Sequence, residues 1–287
     1  MDAFHFDSVT KKYPGFEFSI QDLSLPCGTV MGLVGENGAG KTTLVKLLMH
    51  MVNPDSGRIE VFGNDDPTTF QTAKQRIGFV LDEANFPDSI NCFQVDTIMG
   101  YCYHNWDSKV FLAYLERFAL PKGKMFKQFS RGMKMKLALA VALSHDAELL
   151  VLDEPTGGLD PIVRGEILEI INDYTRDERH SVLISSHIIS DLEKICDYVT
   201  FLHEGSVLFS QDKETLLDSY ALVRCSGECK KELEPSSMLY VRSLPYFEEI
   251  LMKSELVPSF LKSERVGIEQ IMVMMAKGRE QKCMHCL

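Results

Sequence analysis

Three glycines within six residues, Gly35, Gly38 and Gly40, run straight into Lys41 and Thr42. No other feature of the chain narrows its fold as much. The segment Gly35-Glu36-Asn37-Gly38-Ala39-Gly40-Lys41-Thr42 fits the pattern G-x-x-x-x-G-K-[ST]. Before it, Val30, Met31, Leu33 and Val34 read as a buried strand. After it, Leu44, Val45, Leu47 and Leu48 recur with helical spacing. A strand that turns through glycines into a helix aims backbone N–H groups and the positive end of the helix at one spot, which suits a phosphate. Lys41 is placed to reach β- and γ-phosphate oxygens, and the Thr42 hydroxyl to ligate Mg²⁺. Gly35, Glu36, Asn37, Gly38, Ala39, Gly40, Lys41, Thr42 and the following Thr43 are therefore the candidate phosphate-loop contacts.

A chain of 287 residues can hold one large domain and a smaller one. Its hydrophobic share of 45% and charged share of 25% are those of a globular protein. The net charge of −11 argues against sequence-independent nucleic-acid binding, which needs a basic face. A local basic run, Lys122, Lys124, Lys127, Arg131, Lys134 and Lys136, reads as a solvated helix edge or a nucleotide-proximal surface. No apolar run approaches the ~20 residues that span a bilayer. Residues 1–5 lack the basic and apolar regions of a signal peptide, which predicts a cytoplasmic chain. The 8 cysteines are scattered through a long chain, so free thiols are expected rather than a disulfide framework. Cys283-Met284-His285-Cys286 has metal-ligand or redox spacing, but a single C-x-x-C does not define a site.

Along the chain, the first 30 or so residues read as strands, with Phe16, Phe18 and Ile20 alternating with polar residues. Short strands are predicted at 58–62 and 77–81, and helices at 96–103, 110–120 and 131–144. Buried strands follow at 149–152 and 182–185, separated and followed by helices at 162–176 and 188–196. Such alternation implies a largely parallel sheet covered on both faces. A hairpin is expected over 199–209. Beyond about residue 220 the pattern loosens into a small α+β appendage, with a strand at 238–242 and helices at 245–252 and 269–276.

A second constellation lies at the end of the strand Leu149-Leu150-Val151-Leu152. Asp153 there is a candidate to hold Mg²⁺ through its coordination shell, and Glu154 to orient or deprotonate an attacking water. With the phosphate loop upstream, this order resembles the ATPases of the ABC type. Phe129-Ser130-Arg131-Gly132-Met133 is similar to the signature motif of that family, and Gly157-Gly158-Leu159-Asp160 to its D-loop. His187 resembles the switch histidine, and Tyr13 the aromatic that stacks on adenine. The resemblance covers about residues 3–220. It implies an α/β P-loop NTPase fold of ABC type with a mostly parallel sheet core, an N-terminal antiparallel β subdomain and a helical subdomain near 84–145. Residues 221–287 are left as a C-terminal extension.

Two positions depart from the family pattern. Asp82 stands where glutamine is usual, and remains a candidate Mg²⁺ ligand; Arg131 stands where glycine is commoner. What the resemblance implies is ATP and Mg²⁺ as cofactors, with Glu154 and His187 catalytic. Ser130 and the Gly132 N–H would bind a γ-phosphate held by a second ABC ATPase subunit, identical or paralogous. It also implies a separate integral membrane permease, export as the direction of transport, and a peripheral place on the inner face of the cell membrane. The alternative is a regulatory ABC-type ATPase acting on a protein, ribosome or nucleic-acid partner.

Overall fold

The computed structural model describes residues 1–66, 70–81 and 86–284, apart from the side chains of 278–284. Its contacts divide the chain into two units, Met1–Ser210 and Gln211–Leu287. The first opens with β1 (Asp2–Tyr13), β2 (Phe16–Pro26), β3 (Val30–Gly35), α1 (Lys41–Leu48), β4 (Ser56–Val61), α2 (Phe70–Lys74) and β5 (Ile77–Val80). A helical stretch follows: α3 (Cys92–Cys102), α4 (Ser108–Arg117) and α5 (Arg131–Ala142). The unit continues with β6 (Leu149–Asp153), α6 (Pro161–Tyr174), β7 (Ser181–Ser185), α7 (Ile189–Ile195), β8 (Tyr198–His203) and β9 (Ser206–Asp212), inside which the boundary falls.

Nine strands form one sheet in the order β4-β1-β2-β9-β8-β3-β7-β6-β5. Every residue of β3, β6 and β7 is buried. Strands apolar on both faces need helices on both faces, and the registers β8–β3, β3–β7, β7–β6 and β6–β5 are all parallel. By contrast β1 pairs with β2 and β4 in antiparallel fashion, and buried and partly exposed residues mix along it. Phe4, Phe6, Phe18, Leu44, Leu47 and Leu48 are wholly or almost wholly buried in a core shared with Met31, Leu33 and Val151. The N-terminal β layer and the parallel sheet thus close on one another through α1.

Helices α3 to α6 each start on a side chain that caps them. Asn91 accepts from the Gln94 N–H in a reciprocal capping box, Asp107 from Lys109 and Val110, Ser130 from Met133, and Asp160 from Ile162 and Val163. Helix α1 does not: its N-cap is Gly40, in the left-handed region at φ 111°, with no side-chain cap. The first N–H groups of α1 are thereby left to other acceptors.

At the end of α5, His145 is fully buried. Its ring stands edge-on to Tyr103, 3.8 Å between centroids, and neither ring nitrogen has a hydrogen-bond partner among the described residues. Burial pushes its pKa down to about 4, partly opposed by Asp146. The unfolded chain therefore takes up a proton that the folded chain refuses, and stability should fall as pH drops through 6.5 towards 4. Urea denaturation at pH 7 and pH 5 should show His145→Leu escaping about 1–2 kcal/mol of that acid loss. An equal pH dependence in both proteins would contradict the assignment.

The second unit comprises α8 (Lys213–Ser219), β10 (Tyr220–Cys225), α9 (Gly227–Lys230), β11 (Met238–Ser243), β12 (Glu248–Lys253), β13 (Ser263–Arg265) and α10 (Ile268–Met284). Its four strands run β11-β12-β10-β13, with antiparallel pairings. Segment 245–252, expected as a helix, is instead largely β12. Ile250, Leu251 and Met252 are fully buried between paired strands, so strand pairing overrides a modest helix propensity. The unit begins ten residues before the expected boundary at 220, because α8, capped by Asp212, runs directly into β10. Cys27, Cys92, Cys102, Cys225 and Cys229 are free thiols. The side chains of Cys283, His285 and Cys286 lie outside the described residues.

Candidate functional site

Strand order sets the site. β7 lies between β3 and β6, and all three are parallel, so their carboxyl ends open at one edge. Ligands of open parallel sheets bind there. From β3 emerges the loop 35–40, from β6 the pair Asp153-Glu154, and from β7 the run Ser185-Ser186-His187. A cavity of about 720 Å³ opens at this edge, lined by the phosphate loop, Thr42, Thr43, Lys46, Leu81, Asp153 and Glu154, with Tyr13 and Phe16.

The loop closes tightly. Ala39 N–H donates to the Glu36 carbonyl at 3.1 Å. A β-carbon on Gly40 would stand 3.0 Å from the Phe18 ring, so both its φ and its packing call for glycine. The Lys41 ammonium is buried, donating to the Gly35 carbonyl at 2.6 Å and lying 3.8 Å from Glu154 Oε1. Uncapped N–H groups of an eight-residue helix, a buried cation and a roomy cavity fit the phosphates of a nucleotide. Tyr13 and Phe16 form an aromatic pair, 6.4 Å between centroids and 31° apart, and Tyr13 is partly exposed.

Opposite the loop, Asp153 is buried at the end of β6, in register with Ser185. Ser185 Oγ donates to Asp153 Oδ1 at 2.6 Å and accepts from the Glu154 N–H at 2.9 Å. The backbone of Glu154 lies in the left-handed region at φ 51°, a conformation that costs energy for a residue with a β-carbon. Three hydrogen bonds hold it there: its N–H donates to the Ser185 hydroxyl and, at 3.2 Å, to the Ser185 carbonyl, and its own carbonyl accepts from the Gly157 N–H at 3.1 Å. The carboxylate is thereby set between Lys41 and His187, whose Nδ1 donates to Oε2 at 2.7 Å. Hydroxyl and carboxylate oxygens from Thr42 and Asp153 are the hard donors that Mg²⁺ prefers.

Ser185 was not singled out by sequence reasoning. Its signal was its place two residues before His187 at a strand end, which only the register opposite Asp153 makes meaningful. Ser185→Ala should leave a buried carboxylate oxygen without this donor, while the Glu154 N–H keeps its bond to the backbone carbonyl of residue 185. An expected cost of about 1–3 kcal/mol is readable by urea denaturation, and an unchanged midpoint would sink the anchoring role.

Ser130 and Gly132 are not among the residues that line the cavity of their own chain. They sit at the start of α5, where a β-carbon on Gly132 would stand 3.2 Å from Val163 of α6. Arg131, whose target the sequence left open, lies against Gly158: a β-carbon there would stand 2.7 Å from its Nη1. Others of the basic run also have partners. Lys122 pairs with Glu116 and Lys136 with Glu166, and Lys134 lies 4.6 Å from the centre of the Phe126 ring. Asp82 lies outside the described residues; Leu81, just before it, lines the cavity.

The sequence profile of the ABC transporter family matches residues 19–157. The bacitracin transport ATP-binding protein BcrA of Enterococcus faecalis is 32% identical over 206 residues, 70% of this chain and 67% of BcrA. Over 197 residues the lantibiotic transport ATP-binding protein SrtF of Streptococcus pyogenes is 33% identical, covering 67% of this chain and 82% of SrtF. Among solved structures, cbiO1 from Clostridium perfringens, part of the ABC transporter complex cbiONQ, matches with a TM-score of 0.65 at 25% identity. That match covers 75% of this chain and 90% of cbiO1. Phosphate loop, strand-end carboxylates and these relatives converge: the chain belongs to the ABC transporter family, as one of its ATP-binding, ATP-hydrolysing subunits.

Proposed function

We propose that this chain energises export through a separate membrane permease, and that its hydrolytic site is completed by a second ATPase subunit. The observation that carries the two-subunit reading is the position of the signature. Ser130 and Gly132 stand at the head of α5, away from the cavity that holds Lys41, Asp153 and Glu154. One chain carries both halves of a site, and its signature half does not line its own cavity; two chains, head to tail, would bring the halves together.

Within that site, the N–H groups from Gly35 to Thr43 and the Lys41 ammonium hold the phosphates. Tyr13 offers its face to adenine, with Phe16 behind it. Thr42 and Asp153 would hold Mg²⁺, which would supply charge neutralisation for the transferred phosphate. Glu154 accepts a proton from the attacking water, and His187, hydrogen-bonded to it, fixes the carboxylate and senses the γ-phosphate. A neighbour's Ser130 hydroxyl and Gly132 N–H contact that phosphate from the other side. The γ-phosphate then joins the two subunits, and its loss releases them.

Export is supported by the antibiotic-transport names of BcrA and SrtF. Among the described residues no helix is long and apolar enough to cross a membrane. The place of action would then be the inner face of the cell membrane. Detergent extraction and affinity capture of the tagged chain should recover an integral membrane protein in stoichiometric amount. Recovery of ribosomes or nucleic acid instead would favour a regulatory ATPase.

A further inference from the structure

One contact ties the two half-sites of a single chain together, and it runs through a residue that the family pattern does not require. The Arg131 guanidinium lies on the backbone of Gly158. A β-carbon there would stand 2.7 Å from Nη1, 3.1 Å from Cζ and 3.6 Å from Nε. Gly158 is at φ 66°, exposed, and three residues ahead of α6. Its neighbour Gly157 is buried against the hydrolytic pair: a β-carbon on it would stand 3.3 Å from the Glu154 carbonyl oxygen and 3.7 Å from His187 Cε1. Further along the seam, Gly132 backs onto Val163, and Lys136 of α5 pairs with Glu166 of α6. The head of α5 is therefore packed against the loop that follows the Glu154 strand.

We propose that Arg131 is a positioning residue that fixes the Ser130–Gly132 turn to the Gly157-Gly158 loop. The state of a subunit's own hydrolytic site thereby sets the surface it offers to its neighbour's ATP. The proposal rests on the two-subunit reading above. The chemistry suits arginine in particular. A planar guanidinium can lie flat on an exposed peptide and hold direction, which a lysine ammonium on a flexible stem does not. Glycine at 158 is what permits that approach. Any β-carbon would both strain a left-handed backbone and push the guanidinium off.

The test is a double-mutant cycle in the full chain carrying Glu154→Gln, with ATP and Mg²⁺, read as the dimer dissociation constant by sedimentation. ATP affinity of the dilute monomer is measured beside it. Arg131→Ala should weaken the ATP-dependent dimer by roughly tenfold while monomer affinity changes by no more than about twofold. Gly158→Ala should weaken the dimer by a similar factor. The double variant should fall short of the product of the two losses, because the contact can be lost only once, while the backbone strain of a β-carbon at residue 158 stays in both. Arg131→Lys should not restore the dimer. A dimer as tight in Arg131→Ala as in its parent, or losses that multiply, would overturn the positioning role. If the Glu154→Gln parent forms no ATP-dependent dimer at all, the two-subunit reading itself fails, and that result is distinguishable from the other two.

Discussion

Glu154→Gln should abolish nearly all ATP turnover and leave ATP bound. The side chain is nearly isosteric and keeps its place between Lys41 at 3.8 Å and His187 at 2.7 Å. What it loses is the proton acceptor. General-base catalysis by a positioned carboxylate is worth about 10²–10⁴ in rate, so phosphate release should fall by that factor. Binding should survive, because the phosphate contacts come from the loop and α1. With hydrolysis blocked, the γ-phosphate stays and the paired state accumulates. Gel filtration in ATP should then show a dimer that the parent chain holds only transiently. Hydrolysis at the parent rate would remove Glu154 from the mechanism.

Removing the loop lysine should act at the opposite end of the cycle. Lys41→Ala deletes a buried ammonium that touches the Gly35 carbonyl at 2.6 Å and faces Glu154. Charge-assisted bonds to phosphate are worth about 1.5–3 kcal/mol, so ATP affinity should fall roughly tenfold to a hundredfold. Titration calorimetry reads this directly. The loss should be larger for ATP than for AMP, since the lysine reaches the distal phosphates. Unchanged ATP affinity would contradict the role given to Lys41. The two variants separate binding from chemistry: one loses the ligand, the other holds it without turning it over.

Much of this arrangement was written in local sequence. The glycines of the loop, the strand before it and the helix after it are short-range patterns, and so is the strand that ends in Asp153-Glu154. Caps such as Ser130 and Asp160 are also local, because the side chain bonds N–H groups two or three residues on. Periodicity failed where a segment's own preference was weak. Residues 248–253 became a strand because β10 and β11 flank them, a long-range fact.

The sequence by itself determined which chemistry the chain carries: a phosphate cradle, a pair of carboxylates, a histidine and a signature, each made by contiguous residues. Only the tertiary structure decided how these face one another. It placed β7 between β3 and β6, so that Ser185 became the anchor of Asp153 and Glu154. It laid Arg131 on Gly158 and kept Ser130 off its own chain's cavity. Strand order and helix packing join residues far apart in the chain. The free energy that selects them is spread over the whole buried core, so no local pattern records it.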